Sequence, residues 1–140
     1  MSYIFALLAA LFASLVAIFA KLGLQNIDTT LATTVRAVVM ATFLLLVALL
    51  LRKFEGFSLS TFSSKEWLLI VFAGIAGALS WLFFFLALKT GDASAVSALD
   101  RLSVVFVVLL ATLFLGEIFT WQIALGALLM VGGALLITLY

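Results

Sequence analysis

Long uncharged apolar runs alternate along this chain with short polar breaks, and five of the runs reach the roughly 20 residues a helix needs to cross hydrocarbon. They extend from Tyr3 to Ala20, Thr30 to Leu51, Trp67 to Leu88, Ala93 to Leu115 and Trp121 to Tyr140. Their ends carry the signals that start and stop helices. Lys21 and Gly23 close the first run, a cation followed by a C-cap glycine; Asp28 or Thr29 is placed to cap the second, which Arg52 and Lys53 close. Ser63 and Glu66 have the S-x-x-E spacing of a capping box before the third run. Lys89 falls in that run's last turn, with Gly91 at the C′ position and Asp92 ready to cap the fourth; Thr120 caps the fifth, with Glu117 near its positive end. The short turn at Gly91 predicts antiparallel neighbours on either side of it. Tyr3, Trp67, Trp121 and Tyr140 stand at run ends, where amphipathic rings favour the headgroup level. Between the second and third runs, Phe54 to Glu66 mixes Phe54, Phe57, Leu59 and Phe62 with serines, which suits a segment lying on the membrane surface. The first run lacks the basic leader of a cleaved signal peptide and reads as a retained helix. The pattern predicts an all-α membrane protein: a single domain, residues 1–140, built as a bundle of five transmembrane helices in contact with the lipid bilayer.

Composition agrees and narrows the chemistry. The chain is 68% hydrophobic, against roughly 45–50% in globular domains. Only 9% of it is charged, too little to cover a soluble particle of 140 residues. With no Cys and no His, thiolate nucleophiles, zinc-thiolate sites and the commonest general base are missing, so no catalytic residue, metal site or cofactor is expected and an enzyme is disfavoured. A net charge of +1 provides no basic field for nucleic acid.

Five spans put the termini on opposite sides. The N-terminal side carries Arg52, Lys53 and Lys65, and the other carries Lys21 and Lys89. So slight a bias under the positive-inside rule suggests a chain able to insert either way up, and two oppositely inserted copies would reproduce the inverted repeat of many transporters. The alternative is one orientation fixed by Arg52 and Lys53 together.

Counting inward from the ends on the second side at 1.5 Å per residue brings the intramembrane polar residues to one level. Ser14 and Arg36 fall at about 9 Å, and Ser80, Trp81, Asp100 and Arg101 at roughly 10–12 Å, with Gly132 and Gly133 at comparable depth. Thr29, Thr33 and Arg36 share one helix face, as do Ser94, Ser97 and Asp100 with Arg101 beside them. An intramembrane cation costs about 2.5–3.5 kcal/mol at a helix centre, which packing alone does not require. Two readings remain. Arg36 and Asp100 form an interhelical pair that fixes the bundle, with Arg101 snorkelling; or Arg36, Asp100 and Arg101, with Trp81, Ser80, Ser97, Thr33 and Ser14, line a substrate cavity. Their charges sum to +1, which suits a carboxylate, a phosphate or a zwitterion. Ala73 with Gly77, Gly74 with Ala78, and the pair Gly126 and Gly133 offer small faces for helix packing or dimer contact.

From the end of the third run onward the chain reads Ala87-Leu88-Lys89-Thr90-Gly91-Asp92-Ala93, Leu99-Asp100-Arg101-Leu102-Ser103 and Leu115-Gly116-Glu117, followed by Thr120 and Gly126. With Lys21-Leu22-Gly23 and Arg36, this series resembles an EamA domain of the drug/metabolite transporter superfamily, in its short single-domain bacterial and archaeal form. The resemblance implies one half of an inverted-repeat transporter fold, carrying small organic solutes by alternating access and completed by a second copy or a homologous partner. It also implies a prokaryotic cytoplasmic (inner) membrane. It does not extend to the small multidrug resistance proteins, whose first helix carries an acid that residues 3–20 lack. A lipid-linked sugar flippase subunit and a non-transporting assembly subunit remain as alternatives.

Overall fold

The computed structural model describes residues 2–58 and 62–139. Helices α1 (Ser2–Gly23), α2 (Thr29–Leu50) and α3 (Ser64–Thr90) are followed by α4 (Ala93–Asp100), α5 (Ser103–Leu110), a π-helical turn over Ala111–Leu115, and α6 (Trp121–Leu139). No strand occurs among the described residues. Five segments are long and apolar enough to span a bilayer: Ser2–Gly23, Thr29–Leu50, Ser64–Thr90, Ala93–Leu115 and Trp121–Leu139. The protein is therefore an all-α integral membrane protein of five spans. Tyr140 and Leu59, expected at a helix end and in the surface linker, lie outside the described residues.

Three helix starts follow the capping chemistry read from the sequence. The Asp28 carboxylate accepts from the Leu31 N–H at 2.9 Å. Ser63 and Glu66 close a reciprocal box, the Ser63 N–H donating to Glu66 Oε2 at 2.7 Å and the Glu66 N–H to Ser63 Oγ at 3.3 Å. Thr120 Oγ1 accepts from the Ile123 N–H at 3.4 Å. Asp92 departs from expectation: it holds the extended N-cap backbone, but its side chain makes no capping bond to α4.

Helix ends differ more. A Schellman closure ends α2, with the Lys53 N–H on the Ala48 carbonyl at 2.9 Å, the Arg52 N–H on that of Leu49 at 3.0 Å, and Arg52 itself left-handed at φ 53°. Neither Gly23 nor Gly91 takes the left-handed conformation expected of a C′ glycine. Instead the Lys21 ammonium donates to the Leu88 and Gly91 carbonyls at 2.8 and 2.7 Å, so a cation from α1 satisfies an orphan acceptor of α3 and the carbonyl just beyond its end. Gly91 is needed for room, because a Cβ there would meet Val96 Cγ2 at 2.9 Å and the Ala87 oxygen at 3.1 Å.

The fourth span is not one uniform helix as expected. At Arg101 and Leu102 the ladder tightens: the Leu102 N–H bonds the Leu99 carbonyl at 3.0 Å and the Val104 N–H that of Arg101 at 3.1 Å, both i to i−3. Asp100 and Ser103, weak helix formers, flank this turn. Further on, the π-helical turn ends at Gly116, left-handed at φ 67°.

The chain divides into two compact units, Met1–Leu22 with Ala87–Tyr140, and Gly23–Leu86. In the first, α4 and α5 pack on α6. Ala124, Ala127, Val131 and Ala134 share one face of α6 and are half-buried or buried, whereas Gly126 is exposed. An apolar cavity of about 280 Å³ lies among Val105, Val108, Leu109, Phe119 and α6. In the second unit, edge-to-face contacts run from Phe54 to Phe57 at 5.9 Å and from Phe62 to Trp67 at 5.5 Å, with Phe57 and Phe62 at 6.1 Å between them, joining the two ends of the linker between α2 and α3.

Removing the Lys21 ammonium leaves two carbonyls short of a donor. Lys21→Met is expected to lower stability by about 1.5–3 kcal/mol, measured as an earlier unfolding midpoint in mixed micelles. Gly91→Ala is expected to cost about 1–3 kcal/mol through overpacking, and Val96→Ala in the same chain to recover part of it; an unchanged midpoint in Gly91→Ala would contradict the crowding.

Candidate substrate-binding site

The second unit builds a cleft from two antiparallel helices with unlike faces. On α2, Thr30, Thr33, Thr34, Ala37, Ala41 and Leu44 recur at three- and four-residue intervals and form one stripe. On α3 the facing stripe is Ala73, Gly74, Gly77, Ala78 and Trp81, whose small members leave space where larger side chains would meet α2. The resulting cavity is about 580 Å³.

Arg36 stands in this cleft, about 10 Å from the start of α2. Its guanidinium lies over Trp81, with Cζ 3.6 Å from the ring centroid, and 5.5 Å from that of Phe85. Trp81 and Phe85 are four residues apart and so share a face of α3. Trp81 is held in turn by edge-on contacts with Phe84 at 5.5 Å and Phe85 at 5.9 Å. A half-buried cation on a fixed indole face gains up to about 2 kcal/mol, which offsets much of the cost of its depth. The nearby hydroxyls are already committed as donors: Thr33 bonds the Thr29 carbonyl and Thr34 that of Thr30, each at 2.8 Å, so they can offer the cleft only acceptor lone pairs.

Residues 1–139 match the EamA-like transporter family. The chain belongs to that family. A protein named "Uncharacterized transporter in cobO 3'region", from Sinorhizobium sp, is 38% identical over 135 residues, spanning 96% of this chain and 94% of that relative. No solved structure matches it. The chain is thus a membrane transporter of the EamA-like family, and the Arg36 cleft is its candidate site.

Of the residues singled out from the sequence of this transporter, Arg36, Trp81, Thr33, Gly74 and Gly77 meet around that cleft. Ser80, next to Trp81, is exposed and does not line it. Ser97, Asp100, Arg101 and Ser14 belong to the other unit. There Ser97 is half-buried on α4, Asp100 and Arg101 are exposed at its end and in the tightened turn, and the Ser14 hydroxyl donates to the Leu11 carbonyl at 2.7 Å. The glycines do not mark close helix contacts within the chain. A Cβ at Gly74, Gly77, Gly126 or Gly133 would find nothing within 4 Å, because Gly74 and Gly77 border the cleft and the α6 packing face is its alanine stripe.

Phe85 was not anticipated as part of the site, although its four-residue spacing from Trp81 is a readable signal. Thr30 and Thr34, on the Arg36 side of the cleft, likewise follow α2 periodicity. If the stack holds Arg36, a double-mutant cycle with Arg36→Met and Trp81→Leu should give a coupling of about 1 kcal/mol in unfolding experiments. Additive effects would mean that the two side chains are independent.

Proposed function

We propose that this chain carries small organic anions or zwitterions across a prokaryotic cytoplasmic membrane by alternating access, as an inverted dimer or with a homologous subunit. The observation that carries this reading is the Arg36 guanidinium, stacked on Trp81 within a cleft of about 580 Å³ and about 10 Å along a membrane-spanning helix. Such a cation lowers the cost of an oxyanion leaving water, because attraction strengthens as the dielectric falls. No bond is made or broken in this reading; the protein acts by binding and exposure alone. Ser97, Asp100 and Arg101 on the fourth span belong to the other unit and enter this reading as intramembrane polar residues whose cost a transport role would justify. The near balance of cations between the two sides supports opposite insertion of two copies. Open space at Gly126 and Gly133 on α6 leaves room for a second helix to approach closely.

Reconstituted liposomes test the reading. Arg36→Ala and Asp100→Ala are each expected to reduce uptake of labelled organic acids by about tenfold or more, with the yield of crosslinked dimer unchanged. Unaltered uptake in both variants would favour a role in assembly, and flipping of a labelled polyprenyl phosphate without solute uptake would favour a flippase. The absence of native Cys makes a single introduced Cys at Ser58 a clean reporter of orientation. Labelling by an impermeant maleimide from both sides of intact membranes is expected of an inverted homodimer; labelling from one side only would overturn it in favour of pairing with a homologous subunit.

A further inference from the structure

The Arg36 cleft is graded along its length. Thr30, Thr33, Thr34 and Arg36 line it toward the N-terminal end of α2, whereas from Ala37 to Leu44, and from Ala78 back to Ala73, every lining residue is apolar or glycine. Arg36 opposite Trp81 sets the register of the two helices, so Leu44 and Ala73, each eight residues away, mark the far end.

Stacking also fixes how the cation can be used. A guanidinium laid flat on an indole spends its face on the ring and keeps its N–H donors around the edge. Among the described residues of its own unit those donors meet neither a carboxylate nor a carbonyl. Two parallel N–H donors fit the two oxygens of a carboxylate. The cleft holds one cation, so a second negative charge would be unpaired in an apolar space, and sugar-like hydroxyls placed beyond Ala37 would find no partner there. The eight residues from Arg36 to Leu44 span about 12 Å, enough for an extended chain of roughly eight methylenes.

We propose that the cleft takes amphiphilic monocarboxylates, with the carboxylate on Arg36 and an apolar body lying along Ala37, Ala41, Gly74 and Gly77. This rests on the reading of the Arg36 cleft as the substrate site and specifies the class of molecule it accepts. A free ammonium, if the substrate has one, sits at the threonine end, where hydroxyl lone pairs and water can receive it. Each methylene added to the body removes more apolar surface from water, so affinity rises about fourfold per CH₂ until the cleft is full.

The test uses the full chain in nanodiscs with Trp67→Phe and Trp121→Phe, which leaves Trp81 as the fluorescent reporter beneath the guanidinium. Butanoate, octanoate and uncharged octanol are titrated over empty-nanodisc controls. Octanoate is expected to bind on the order of 100-fold more tightly than butanoate, and octanol to leave Trp81 unquenched. Gly77→Leu, at a position with open space around its Cα, should weaken octanoate about tenfold more than butanoate, and Gly74→Leu should do the same. If Arg36→Gln abolishes binding of both acids but chain length and the glycine variants make no difference, the amphiphile assignment is wrong and the site reading stands. If Arg36→Gln leaves quenching by both acids unchanged, the site reading falls with it.

Discussion

A guanidinium within hydrocarbon has to find compensation in the protein, since lipid tails accept no hydrogen bonds and solvate no charge. Arg36 finds it on the face of Trp81, and the remainder of the second unit follows from that contact. The stack sets which turn of α3 faces which turn of α2. Phe84 and Phe85 brace the indole edge-on, and the threonines before Arg36 bond back to their own helix instead of competing for the cation. Apolar contact alone could not specify this register, because between helices in a bilayer there is little hydrophobic drive to meet.

The same constraint governs the first unit through a different pairing. There the charge is an ammonium, and what it meets are the unpaired carbonyls at the end of α3. Both contacts join a basic side chain to a group on another helix that has no competing partner in lipid. One holds a structure together; the other leaves donors free around its rim. That difference is the ground on which Arg36, and not Lys21, is proposed to meet cargo.

The helices were legible because their boundaries are written in local chemistry. Asp28, the Ser63 and Glu66 box, and Thr120 each need a partner only three residues away, so sequence spacing is enough to place them. Asp92 shows the limit: its position is right for a cap, but backbone conformation alone starts α4. The tightening at Arg101 and the π-helical turn before Gly116 change which carbonyl each N–H selects, a choice made by tertiary surroundings that periodicity does not encode. At the candidate cleft, depth counting singles out Arg36 and Trp81, since rise per residue is nearly constant, and helix-face spacing adds Thr33. It could not tell whether small residues are filled by a neighbouring helix or left open, and so Gly74 and Gly77, expected as contact surfaces, border a cavity. The alanines of α6, equally small and regularly spaced, carry the packing instead.

Arg52 sits in a left-handed backbone conformation that costs an ordinary L-residue roughly 1–2 kcal/mol and glycine nothing. A glycine there would close α2 without strain, but it would also remove one of the few cations that lie outside the lipid. With so small a difference in basic residues between the two faces, losing this one would even the tally and leave the nascent chain with no electrostatic preference as it enters the bilayer. Under the proposed insertion of copies both ways up, the strained arginine acts as a counterweight on topology, and relieving its backbone would alter the ratio of the two orientations more than it would alter the fold.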